Sequence, residues 1–350
     1  MIYDWCSPQW SQLLALGERL PHALLLVGPE GLGKREFAEA LAARVLCHEA
    51  RADQQACGHC PACLLIASDN HPDWLVVRPE ALEDAAEDAD EAGDEGEGKA
   101  KSTQIRIAQI RAVTERLGVG AHQGGYRVVL LYPAEAMNVD AANSLLKSLE
   151  EPPPRTLFLL ISDHPRNLLP TIRSRCRVLS FQQPARDEAL AWLKAQGVSD
   201  AVDALALCAG SPLRARDLAG SKEAQIQGQF VDDVSRRALE APLEVAARWE
   251  GWLRGRKKGE AGLTDMATLV TWLQRWMADL VLIMQTGQAR VFLGRGEQLK
   301  KLAERSDVAT VLRGYNELLK VRALAHHPLN ARLFLEDLLM RYARLFQASR

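Results

Sequence analysis

Residues Gly28-Pro29-Glu30-Gly31-Leu32-Gly33-Lys34 fit the phosphate-loop pattern G-x-x-x-x-G-K, but Arg35 stands where Ser or Thr should follow. In a working loop the glycines let backbone N–H groups cradle phosphate. The lysine reaches the terminal phosphates, and the hydroxyl holds Mg²⁺. Arg35 has no acceptor atom and carries a permanent positive charge, so it does not coordinate a cation. The loop therefore reads as an ATPase motif that has given up hydrolysis. Lys34 and the backbone donors remain able to hold a phosphate anion without metal, which leaves nucleotide binding open.

A second acidic motif should complete Mg²⁺ binding at the end of the Val128–Leu131 strand. Tyr132-Pro133 occupies that place. Glu135 lies a little further on. It reads either as a displaced acid or, by the preference of Glu for first turns, as a solvated residue at a helix start.

Seven cysteines occur, an odd number that argues against a disulfide framework. Four of them, Cys47, Cys57, Cys60 and Cys63, are spaced C-x9-C-x2-C-x2-C. Neighbouring C-x-x-C steps let thiolates converge on one ion, and four sulfurs suit a closed, structural Zn²⁺ site. An iron–sulfur cluster also takes four cysteines, but no electron-transfer motif accompanies these. Cys6, Cys208 and the eight tryptophans read as packing residues.

These residues need elements to position them. His22 to Val27 reads as a buried strand, and Arg35 to Leu46 as a helix with Phe37, Leu41 and Val45 on one face. Strand, glycine turn and helix form the context a phosphate loop requires. Further strands are expected at Trp74–Val77, Arg127–Tyr132, Thr156–Ile161 and Arg177–Phe181. Helical spacing recurs from Ile107 to Leu117 and from Ala141 to Glu150, stopping before Pro152. Continuous apolar strands alternating with helices predict an α/β domain with a parallel sheet covered on both faces. Beyond Pro184 strand signals vanish, which predicts helices only.

The formal net charge of −2 is unevenly spread. Ten acidic residues and no Lys or Arg lie between Glu80 and Gly98, and the rest carries 43 basic against 35 acidic side chains. A mildly basic body permits contact with nucleic acid without requiring it. The segment Glu80–Lys101 is too poor in large apolar residues to offset the entropy of ordering, and is expected to be a disordered insertion. Its charge would suit a DNA mimic, but its Ala and Gly content favours a solvated loop. The basic run Arg254–Lys258 is likewise expected to be a solvated loop. No apolar run is long enough for a membrane span and Met1–Trp5 does not resemble a signal peptide, so a cytoplasmic protein is expected.

Ala142-Asn143-Ser144-Leu145-Leu146-Lys147-Ser148-Leu149-Glu150-Glu151-Pro152-Pro153 and Thr171-Ile172-Arg173-Ser174-Arg175-Cys176 resemble the clamp-loader ATPases of the AAA+ class, and the cysteine cluster is similar to the zinc module of the bacterial clamp loader. The resemblance covers about Leu20 to Gly210. It implies an AAA+ domain over 1–183, with the zinc module at 47–63 and the acidic insertion at 80–101. A small helical lid at 184–222 and an all-α collar domain at 223–350 would follow. Carried onto this chain, it makes Arg175 an arginine finger acting in trans. Ser162 and Asp163 take the nucleotide-sensing position, and Arg214 takes the second sensor, beside Gly28, Gly31, Gly33 and Lys34 of the loop. It implies a rigid stator, not an enzyme by itself, in a hetero-pentamer of the polymerase holoenzyme. The motor (tau/gamma) and delta subunits would be its neighbours. The pentamer loads a sliding clamp on primed DNA. Two rival expectations are a motor subunit that itself hydrolyses ATP, and a zinc-containing module that binds DNA alone.

Overall fold

Five apolar runs pair into one all-parallel sheet. They are β1 (Ala23–Val27), β2 (Trp74–Val77), β3 (Arg127–Leu131), β4 (Thr156–Ser162) and β5 (Arg177–Ser180), in the order β2-β3-β4-β1-β5. The computed structural model describes residues 2–49, 55–82, 102–118, 125–254, 263–324 and 330–347. Alternate strand residues serve opposite layers. Leu24, Leu26, Val128, Leu130, Leu157 and Leu159 face one core, whereas Ala23, Leu25, Val129, Leu131, Phe158 and Leu160 face the other. Both faces being apolar is what reads as continuous hydrophobic runs in the sequence.

Helices cover both layers. Helices α1 (Ser7–Leu14) and α2 (Lys34–Leu46) pack on the first, and α3 (Pro61–Ala67) is capped by Cys60 and carries Cys63. Helices α4 (Ile107–Gly118), α5 (Val139–Glu150) and the short α6 (Pro170–Arg173) pack on the second. Helix α5 starts two residues before Ala141, because the Asn138 side chain accepts the Ala141 N–H at 2.8 Å and caps it. On α2 the buried stripe is Phe37, Ala38, Leu41, Ala42 and Leu46; Val45 is only partly buried.

Helix α1 lies outside the elements that the sequence pattern predicts. Trp10 meets Phe37 edge-on at 5.6 Å, and Phe37 meets Phe181 at 5.0 Å. The acidic insertion begins later than expected. Glu80–Leu82 form a 3-10 turn, and Ala81 N–H donates to the Ser102 carbonyl at 3.1 Å. The Glu80 carboxylate accepts from Ser102 N and pairs with Arg106, each at 3.3 Å. The insertion thus leaves and returns at one point and does not disturb the sheet. Its expected disorder over 83–101 lies outside the described residues.

The chain divides into two compact units, Met1–Pro184 and Ala185–Arg350. The second is helical throughout its described residues and contains two apolar cores. The smaller packs Arg186–Ala195, Ala201–Leu207 and Pro212–Leu218 around Leu193, Leu205 and Ala215. The larger is built on the fully buried Trp249 and Trp276. Buried carboxylates tie its turns. Asp233, in the π-helical turn Asp233–Arg237, accepts from Trp249 Nε1 at 3.0 Å and pairs with Arg248. Asp279 accepts the N–H groups of Arg290, Val291 and Phe292 at 3.0, 2.8 and 2.7 Å. Arg254 follows the last residue of the helix Pro242–Leu253 and is exposed, as expected of a solvated loop, while pairing with Glu250; 255–258 lie outside the described residues.

Asp279→Ala would strand three N–H groups beside a buried helix. The expected loss of stability is about 3 kcal/mol, read from urea unfolding followed by circular dichroism. A loss below about 1 kcal/mol would show that those donors find other partners.

Candidate functional site

In a parallel sheet every strand delivers its following loop to the same edge. Val27 pairs with Ser162, Leu131 with Leu160, and Val77 with Leu131. Register therefore brings Gly28, Asp163, Tyr132 and Arg78 to one rim.

The loop after β1 bends through three glycines, Gly28, Gly31 and Gly33, at φ of 154°, 77° and 85°. Gly28 has a second requirement. A Cβ there would lie 2.4 Å from the Phe181 carbonyl oxygen. Gly33, left-handed, caps α2 and places Lys34 at its first position. From the N-terminal side, Trp5 Nε1 and Cys6 Sγ both donate to the Leu32 carbonyl, at 3.0 and 3.4 Å. These two packing residues are thus also loop fasteners.

Lys34 does not point at open space. Its Nζ donates to the carbonyls of Gly28 and Pro29 at 2.7 and 2.6 Å and pairs with Asp163 Oδ1 at 2.6 Å. Its side chain is 3% exposed. An ammonium so buried costs several kcal/mol unless it is paired, so these contacts are a condition of the loop's shape.

Arg35, which follows the loop lysine, and Tyr132, which follows β3, meet each other. The Arg35 guanidinium lies 4.9 Å from the centroid of the Tyr132 ring and pairs with Glu39 at 2.7 Å. The Tyr132 hydroxyl accepts from Arg78 Nη1 at 3.2 Å. Glu135 stands in the first turn of the 3-10 helix Ala134–Ala136, as expected, but it is half-buried instead of solvated: its Oε1 accepts the N–H groups of Asp163 and His164 at 2.9 Å each. No spacing in the sequence links Glu135 to Asp163; only the β3–β4 pairing does.

Asp163 thus reaches Lys34 from the end of β4. Ser162 is fully buried; its carbonyl accepts Gly28 N–H at 3.4 Å, and its Oγ has no partner among the described residues. Arg175 follows α6 and is held by Glu150 at the end of α5, with Nε 2.7 Å from Oε1 and Nη2 closer still. Its Nη1 donates to the Thr171 carbonyl at 2.9 Å. Arg214 is exposed in the first turn of Pro212–Leu218, in the second unit.

The cysteine cluster assembles as its spacing requires. All four sulfurs lie within 4.8 Å of one another. Cys47 and Cys60 are 3.9 Å apart, and Cys57 and Cys63 are 3.8 Å apart. A tetrahedral ion with sulfur ligands at about 2.3 Å sets them about 3.8 Å apart, so the set fits. Backbone N–H groups of Glu49 and Cys57 reach the Cys47 sulfur, and that of Cys60 reaches Cys57, each at 3.3 Å. Burial and then neighbouring sulfurs push the Cys63 thiol up to about 12. Cys60 resists its own burial and is pulled down to about 6, chiefly by N–H donors of Cys63 and His48. Four adjacent thiolates need a cation to coexist. The cluster is thus a candidate metal centre.

A phosphate loop on an all-parallel sheet, with a four-cysteine module after its first helix, defines the class of P-loop α/β proteins. The family model for "DNA polymerase III, delta subunit" matches residues 9–185. The DNA polymerase III subunit delta' of Pseudomonas aeruginosa is 36% identical over 353 residues, spanning 98% of each chain. That of Escherichia coli is 36% identical over 215 residues, 60% of this chain and 58% of that protein. The chain belongs to the DNA polymerase III delta-prime family of clamp-loader AAA+ proteins. Among solved structures, a DNA polymerase III gamma subunit-related protein from Thermotoga maritima aligns with a TM-score of 0.49 at 20% identity, covering 97% of this chain and 100% of that one. No helix among the described residues is long and apolar enough to cross a membrane.

Gly28→Ala would drive a methyl group into the Phe181 carbonyl. The expected cost is about 2 kcal/mol or more in thermal or urea unfolding. An unchanged unfolding midpoint would show that β1 and β5 can part at no cost.

Proposed function

We propose that this chain is a non-hydrolysing stator in a DNA polymerase III clamp loader. It contributes Arg175 to the nucleotide of a neighbouring motor subunit. The observation that carries this reading is the contact of Arg35 with Tyr132. Where a hydroxyl and an acid would share Mg²⁺, a cation lies on a phenol instead. The contact leaves no oxygen ligand at either position and gives each substituted residue a structural partner. Motor subunits (tau/gamma) and delta would be the partners in a hetero-pentamer, which meets the sliding clamp and primer–template DNA. The compartment is the cytoplasm.

Arg175 suits a role across a subunit boundary. Its pairing with Glu150 is partly exposed, at 32% and 49% for the two side chains. Pairs of this kind contribute about 0–1 kcal/mol net. A triphosphate from a neighbour can therefore compete for the guanidinium. Once exchanged, Arg175 would stabilise the charge that develops on the transferred phosphoryl group. Separate cores support a lid over 184–222 and a collar domain over 223–350. Arg214 is the second sensor in this reading. The cluster Cys47, Cys57, Cys60 and Cys63 holds a structural Zn²⁺, with all four positions filled by sulfur and none open to water.

Arg175→Ala is expected to leave the chain folded and to lower ATP turnover of the reconstituted complex by up to about 10³-fold. Unchanged turnover would remove the finger assignment. Steady turnover of Mg-ATP by the isolated wild-type chain would replace the stator with a motor. Cys60→Ser is expected to release zinc and loosen the segment 47–63. Elemental analysis showing one retained zinc per chain would contradict the metal assignment.

A further inference from the structure

A loop that has lost its metal ligands has no evident reason to keep a lysine. Lys34 has three N–H donors. All three have acceptors in Gly28 O, Pro29 O and Asp163 Oδ1, at 2.7, 2.6 and 2.6 Å. Two of these are neutral carbonyls. Asp163 supplies the one formal negative charge paired with Lys34 among the described residues. It is also the accessible partner, 27% exposed against 3% for the lysine. Its backbone is fixed, because Glu135 binds the N–H groups of both Asp163 and His164.

We propose that Asp163 is a built-in occupant of the phosphate position. Its carboxylate stands in for a phosphate oxygen on Lys34 and keeps the loop closed to di- and triphosphate anions. Neutralising it opens a site that takes such an anion without Mg²⁺. Independence from metal follows from the neighbouring charges. Arg35 supplies a permanent cation in the first turn of α2, and Arg78 supplies another at the Tyr132 hydroxyl. The inference deepens the stator reading and rests on its assignment of residues 28–34 as the phosphate loop.

The size of the effect follows from population arithmetic. If the Lys34–Asp163 pair is closed nine times in ten, a competing anion binds about tenfold more weakly than to the open loop. A pair closed more completely weakens it further.

The test is calorimetric titration of the full chain with pyrophosphate and with ADP, both in EDTA. Wild type is expected to show no binding up to about millimolar anion, and Asp163→Asn a gain of at least about tenfold. Asp163→Ala should show the same gain, and Asp163→Asn combined with Lys34→Met should lose it. A gain for ADP alone would add contacts to the base, and a gain for both assigns the site to the shared phosphates; either supports the proposal. Wild type binding as tightly as Asp163→Asn would overturn it. So would both Asp163 variants melting cooperatively yet binding nothing. Mg-ATP hydrolysis by Asp163→Asn would instead sink the stator reading and leave the occupant intact.

Discussion

A buried ammonium has three hydrogens to place and no water to place them in. That requirement, met at Lys34, organises the rim of the sheet. Two of its acceptors lie on the loop's own backbone, so the loop folds back over its lysine. The third comes from the end of β4, which pairs with β1 in register. Asp163 is in turn fixed by Glu135 from the segment after β3. Three strands that share one edge thus close a single polar chain from Glu135 through Asp163 and Lys34 to Gly28.

The same solution recurs away from the rim. Asp233 and Asp279 are nearly inaccessible; Asp279 satisfies three N–H groups of a turn, and Asp233 satisfies the side chains of Trp249 and Arg248. The cysteine cluster uses sulfur in the same way, accepting backbone N–H groups while gathering four ligands. Arg175 and Glu150 form the contrasting case. Their pair is solvated, so breaking it costs little. Burial separates the charges that fix this structure from this partly exposed pair, whose loss would cost little.

Arg35 and Tyr132 likewise accommodate each other. Arg35 gains an aromatic face, a contact worth about 0.5–1 kcal/mol at a partly exposed site. Tyr132 gains a second arginine at its hydroxyl. Together they join the turn after β3 to the first turn of α2.

Much of this was legible in the chain. Apolar runs located β1 to β4, because a sheet covered on both faces leaves no polar alternation there to confuse the pattern; β5 lies at the edge and buries only Leu179. Glycine spacing located the loop, since only glycine tolerates its backbone angles. The C-x-x-C steps, with Cys47 at the end of α2, located the cysteine cluster that could hold a metal ion. Helix α1 went unnoticed although Trp10 and Leu13 stand at helical spacing, because eight residues give too short a period to register. The contact of Glu135 with the N–H groups of Asp163 and His164 left no local signal in the sequence. The engagement of Lys34 by Asp163 had no local trace either: their separation in the chain exceeds any helical or strand period. Local chemistry decides what a residue can do, and it is written residue by residue. Which partner it meets depends on strand order and register, and those emerge only when the whole sheet is assembled.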